Sequence, residues 1–219
     1  MTRYFVTGTD TDAGKTLVSA GLLALARSRG LSTLGLKPVA SGCRRTDAGL
    51  RNDDALALMA RSVPAPAYTT INPFAFEPAI APHLAARQAG ENIGLARLGE
   101  HVAPLLEEPR DLILVEGAGG WRVPLNDSED LSALALHLDL PVILVVGLKL
   151  GCLNHACLTA EAIRADGAKL AGWVGNLLDA DFARDASLYA DNLATLQHRL
   201  GAPCLGVVPR LSRVAPARR

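Results

Sequence analysis

Residues 4–16 read YFVTGTDTDAGKT, and they limit the possible fold more than any other stretch of the chain. Tyr4 to Thr7 is a short, β-branched apolar run with the composition of a buried strand, and Gly14-Lys15-Thr16 opens an Ala- and Leu-rich segment. Strand, glycine loop and helix make a P-loop. Successive backbone N–H groups in a tight turn, together with the unpaired amides and positive end of a helix, form a concave anion site suited to polyphosphate. Lys15 would reach the outer phosphates, and the Thr16 hydroxyl is placed to ligate a magnesium ion. The usual spacing is G-x-x-x-x-G-K-[ST]. Here the residues from Thr9 to Ala13 make the gap one too long, so the assignment rests on the flanking strand and helix.

The remainder alternates strands and helices. Thr16 to Arg29 is expected to be the first crossover helix, stopped by Gly30. Ser32 to Lys37 reads as a strand ended by Pro38, which delivers Lys37 to the carboxyl end, where open parallel sheets bind ligands. Lys15 and Lys37 should therefore face one pocket. Residues 40–52 read as a polar loop, Asp53 to Arg61 as a short helix, and Pro64 to Pro82, with five prolines, as an ordered excursion without elements of its own. Helices are expected over 82–89 and 94–107. Asp111 to Val115 is a continuous apolar run ending on Glu116 and Gly117-Ala118-Gly119-Gly120. An acid at the tip of a core strand requires a positive partner, and magnesium is a candidate, since strand-end carboxylates of P-loop enzymes hold it. A helix over 131–138, a strand over 142–147, a helix over 153–165, a strand over 170–176, a helix over 183–200 and a strand over 204–208 complete the pattern. This predicts an α/β, three-layer P-loop NTPase fold, a mostly parallel sheet with helices on both faces, in a single domain over 1–219.

Lys plus Arg equals Asp plus Glu at 22 each, which leaves no electrostatic footprint for nucleic acid or an acidic membrane. The longest apolar run, Leu138 to Leu150, is broken by Asp139 and Lys149 and is too short to span a bilayer, and no charged-then-apolar leader is visible. A soluble, cytoplasmic protein is expected. Cys43, Cys152, Cys157 and Cys204 form no CxxC pair and are expected to be small buried hydrophobes. The five histidines contain no HxxxH, which argues against zinc.

The blocks GTDTDAGKT, KPVASG, RNDDALAL, VEGAGGW, PVILVVGLKLGCLNHA and AGWVGN together resemble the dethiobiotin synthase family, from Arg3 to about Asn176. The resemblance implies that the longer loop gap is normal, and that the chain is a homodimer with its active site near the interface. It also implies carboxylation of 7,8-diaminononanoate by CO2 or bicarbonate at the expense of ATP, through a carbamate and a carbamic–phosphoric anhydride. By position, Lys37, Lys15 and Thr11 would be catalytic, and Thr16, Asp54 and Glu116 would hold Mg2+. Asp12, Ala13, Gly14, Leu17, Gly117, Ala118 and Gly119 would surround the nucleotide, with Asn176, Val208, Pro209 and Arg210 at the adenine. Ser41 would engage the substrate, and the amides of Gly151, Cys152, Leu153 and Asn154 would receive its distal carboxylate across the interface. Departures cluster at the adenine end: Leu177 follows Asn176 where a relative has an acid, Arg210 replaces an aromatic, and a basic tail runs from Arg213 to Arg219.

Two other classes share this layout. A small-molecule kinase normally carries an arginine-bearing lid, yet residues 64–82 contain no Arg or Lys. A partition-type ATPase has an additional lysine early in the loop, and none lies between Gly8 and Gly14. A guanine-reading Asn-Lys-x-Asp is also lacking: Asn176-Leu177-Leu178-Asp179 has no lysine.

Overall fold

The structure, a computed structural model, describes residues 1–211; the basic tail noted above lies outside them. Alternation in β1 (Thr2–Gly8) sends Phe5 to one face and Tyr4 and Val6 to the other. A 3-10 turn (Thr11–Ala13) then leads into α1 (Lys15–Ser28). Next come β2 (Thr33–Leu36), the two-residue β3 (Val39–Ala40), the hairpin β4 (Arg44–Thr46) and β5 (Gly49–Arg51), and α2 (Asp53–Met59). They are followed by α3 (Tyr68–Ile71), β6 (Phe74–Ala75), α4 (Pro82–Gln88), α5 (Leu95–Leu106), β7 (Leu112–Glu116) and α6 (Ser132–His137). The chain continues through β8 (Val142–Leu148), α7 (Cys152–Ala165), β9 (Leu170–Leu177), α8 (Ala186–Leu200) and β10 (Cys204–Val208).

The main sheet has six strands, all parallel, in the order β10-β9-β8-β1-β7-β2. Its register sets Val6 opposite both Glu116 and Ile143, and Leu36 opposite Val115. The loops after β1, β2 and β7 therefore leave the same edge of the sheet side by side. Val18, Leu23 and Leu58 of α1 and α2 cover one face, against Val6, Leu114 and Val145. The opposite face is covered by α4, α5 and α6 near Phe5, Leu36 and Val115, and by α7 and α8 around Trp173. Continuous apolar strands such as VILVVGL, buried at every position, are what two covered faces demand.

Three expectations need correction. Residues 40–52 are not a plain loop, because Arg44–Thr46 and Gly49–Arg51 pair antiparallel around a turn at Asp47-Ala48. Residues 64–82 are not without elements: α3 lies there, and β6 pairs parallel with β3. Both were hidden because each strand is at most three residues, too short to show a period. Cysteine burial also divides: Cys43 and Cys152 are buried, whereas Cys157 is half-buried and Cys204 is exposed on the edge strand β10. Among the described residues no helix is long and apolar enough to cross a membrane.

Candidate active site

Asp10 begins the loop. Its carboxylate accepts the Thr11 N–H at 2.7 Å and caps the 3-10 turn, after which Gly14, at φ 92°, turns the chain into α1. A side chain at Gly14 is strained by that left-handed φ, and its Cβ would collide with Asn176 Nδ2 unless that amide shifted. The same Nδ2 donates to the Ala13 carbonyl at 2.9 Å, so β9 braces the loop.

Lys15 lies along the loop and is only 5% exposed. Its ammonium donates to the carbonyls of Asp10 (3.1 Å), Thr11 (3.2 Å) and Gly119. Burial, and then the positive charge of Lys37, lower the Lys15 ammonium to about 8. Lys37, just beyond β2, is enclosed more completely. Its Nζ meets Glu116 Oε1 at 2.7 Å, Asp54 Oδ2 at 3.0 Å and the Gly117 carbonyl at 3.0 Å. Burial alone would lower the Lys37 ammonium, but the charges and hydrogen bonds of Glu116 and Asp54 outweigh it and the net direction is up. Burial likewise opposes ionisation of Asp54, yet Lys37, and to a lesser degree Lys15, hold its carboxyl below the usual carboxylate range. The positive partner that the strand-end acid required is thus Lys37.

A cavity of about 350 Å³ collects half of the residues singled out from the sequence. Thr11, Asp12, Gly14, Lys15, Thr16 and Leu17 line one side; Lys37, Ser41, Asp54, Ala118 and Gly119 close the other. Ala13 is buried beneath the loop, and Gly117 contributes its carbonyl to Lys37. A second cavity of about 590 Å³ shares Thr11, Ser41, Ala118 and Gly119 and continues past Ile80, Pro82 and Val123. Val208 lies apart, in a groove beside Leu17, and Pro209 and Arg210 are exposed beyond β10. Gly151, Cys152, Leu153 and Asn154 line neither cavity: they begin α7, next to Leu150, which is 91% exposed.

The donors around Glu116 suit a hard cation. The Thr16 hydroxyl donates to Glu116 Oε1 at 2.7 Å, Asp54 stands across Lys37, and Glu116 Oε2 is buried without a hydrogen-bond partner. Oxygen donors of this kind, one or two carboxylates completed by phosphate oxygens and water, are what magnesium accepts. Among the described residues no three His, Cys, Asp or Glu side chains form a metal-holding group.

Sequence reasoning missed the anchor of the loop after β7. Trp121 packs edge-on to Phe5 and donates its indole N–H to Asp166 Oδ2 at 2.7 Å, while Arg122 meets Asp166 Oδ1 at 2.6 Å. Burial disfavours the Asp166 carboxylate, but these hydrogen bonds hold its carboxyl below the usual range. A folded-state pKa below the unfolded one gives stability that is present above about pH 4 and fades as pH falls through the folded value. Asp166→Asn is therefore expected to cost about 1–2 kcal/mol near pH 7 and progressively less below pH 4. Urea unfolding at both pH values checks this, and an equal loss at each would refute it.

A family model described as "AAA domain" matches residues 2–218. The chain is 68% identical to an "ATP-dependent dethiobiotin synthetase BioD" of Chromohalobacter salexigens, over 100% of this chain and 94% of the relative. It is 59% identical to the protein of that name from Pseudomonas paraeruginosa, over 99% and 93% respectively. A solved ParA family ATPase from Chlorobium tepidum superposes with a TM-score of 0.57 at 15% identity, covering 97% of this chain and 86% of that one, a likeness of fold alone. With near-complete coverage at such identity, the chain belongs to the ATP-dependent dethiobiotin synthetase family and is an ATP-dependent ligase.

Proposed function

We propose that the chain closes the ureido ring of dethiobiotin by joining CO2 to both amines of 7,8-diaminononanoate, with cleavage of ATP to ADP and phosphate. The observation that carries this reading is the enclosed Lys37 ammonium, clasped by Glu116 and Asp54 beside the P-loop lysine. A carbamate and a triphosphate are both anionic, and cations between them offset their repulsion.

One neutral amine attacks CO2; the N–C bond forms, an electron pair moves onto oxygen, and the nitrogen sheds a proton to solvent. Lys37 exchanges one of its three partners for the resulting carbamate, and the hydroxyls of Thr11 and Ser41, on the rim between the cavities, orient the two nitrogens. Lys15 exchanges its carbonyl partners for phosphate oxygens. The carbamate oxygen then attacks the γ-phosphorus as the bond to ADP breaks. The second amine attacks the carbonyl carbon, loses a proton, and expels phosphate as the ring closes. Magnesium, held by Thr16, Asp54 and Glu116, would neutralise phosphate charge.

The second cavity, with Ile80, Pro82 and Val123 along it, suits an alkyl chain. Its distal carboxylate would reach the amides that open α7 in a partner protomer, and the exposed Leu150 beside them favours burial in a homodimer. The reading includes one domain over 1–219 and a cytoplasmic enzyme.

The test is incubation with the diamine, bicarbonate and Mg-ATP, with mass detection of a cyclic urea and with CTP and GTP in parallel. ATP-dependent gain of one carbonyl and loss of two hydrogens is expected. A phosphorylated diamine, or ATP hydrolysis without the urea, would sink the reading.

A further inference from the structure

We propose that the Tyr68 hydroxyl is a positioning group for the reaction, tying the strand end that carries Lys37 to the helix start that carries Asp54. This rests on the roles given to Lys37 and Asp54 above. The hydroxyl accepts the Asn52 N–H at 2.7 Å and donates to Asn72 Oδ1 at 2.9 Å. Asn72 Nδ2 in turn donates to the Lys37 carbonyl at 2.8 Å and reaches the Phe74 carbonyl at 3.4 Å. Because both of those partners only accept, the amide nitrogen must face them, and its oxygen is left for Tyr68. The Lys37 N–H donates to the Ile71 carbonyl at 2.9 Å. Both backbone groups of Lys37 are therefore held by the stretch that contains Tyr68 and Asn72.

The other arm runs through Asn52. Its Oδ1 accepts the Ala55 N–H at 3.2 Å and caps α2, and its Nδ2 reaches the Ser41 carbonyl at 3.4 Å. Helix α2 has seven residues, too few to be stable alone, and the Asp54 side chain is 44% exposed. The cap at the helix start therefore joins the buried Ala55 and Leu58 in setting how α2 presents Asp54 to Lys37. Three segments, bearing Lys37, Ser41 and Asp54, converge on Asn52, Tyr68 and Asn72, all of them buried. The Tyr68 ring is itself fixed, with Ala55 and Ile71 packed around it and the Arg51 guanidinium 4.2 Å above its face.

Tyr68→Phe removes one oxygen and keeps the ring and its contacts. Its kcat is expected to fall about ten- to hundredfold, the scale for misplaced catalytic groups, while the KM for ATP stays within about twofold. If Tyr68 acts through Asp54, the double variant with Asp54→Asn loses much less than the product of the two single losses. Met59→Ala, which trims the same apolar cluster without touching the network, is the stability control: it should lower thermal stability yet leave kcat unchanged. A Tyr68→Phe enzyme at wild-type kcat overturns the proposal, as do losses that multiply with Asp54→Asn or a matching fall in Met59→Ala. If Asp54→Asn alone turns over normally, the underlying site assignment fails and the proposal falls with it. A loss in Asp54→Asn beside normal Tyr68→Phe turnover refutes the proposal alone.

Discussion

Lys37→Met is expected to lose about a thousandfold in turnover, the upper scale for removing one charge-stabilising donor, and also about 3–5 kcal/mol of stability. The two losses have different causes. Turnover falls because Lys15, the other enclosed cation of the cavity, is taken up by the phosphates and leaves the carbamate without a positive partner. Stability falls because Glu116, 0% exposed, loses its 2.7 Å ionic partner and remains a buried charge. A second substitution separates them. With Glu116→Gln added, the buried charge is removed and most of the stability should return, while turnover stays low. Urea unfolding and diamine-dependent phosphate release measure the two effects; wild-type turnover in Lys37→Met would remove that side chain from the mechanism.

Gly14→Ala is expected to raise the KM for ATP on the order of a hundredfold, through displacement of loop amides. An alanine there must adopt φ 92° and place its Cβ against Asn176 Nδ2, so either the loop re-forms or the brace to Ala13 is given up. The contributions separate in an Asn176→Ala background. Without the clash, the stability cost of Gly14→Ala should shrink to the backbone part, about 1–2 kcal/mol. A Gly14→Ala enzyme with wild-type KM and stability would mean that the loop does not depend on this turn.

Most of the frame was legible because its signals are local. Pro38 ends the strand that presents Lys37, the apolar run through Val115 ends on Glu116, and Gly14-Lys15-Thr16 opens a helix. What escaped was non-local. Glu116 announced its need for a positive partner, but Lys37 is 79 residues away and meets it only because β2 and β7 are neighbours. The Asn52 cap was readable in principle, since Asn followed by Asp53 and Asp54 is a helix-start pattern. Tyr68 and Asn72 carry no such mark, because nothing in a Pro-rich stretch reveals which polar groups will face a neighbouring strand. Leu17 and Val208 do share a groove, but Asn176 spends its amide nitrogen on the loop, a use that spacing along the chain cannot reveal.

The sheet order has a consequence for how the enzyme matures. Thr16 bonds a residue 100 positions later, Lys15 one 104 later, and Ala13 one 163 later. The contacts that brace the loop thus come from both halves of the polypeptide, and they are complete only once β9 has docked. Capture of ATP would then report completed assembly, and by mass action the ligand would protect only molecules that had finished folding.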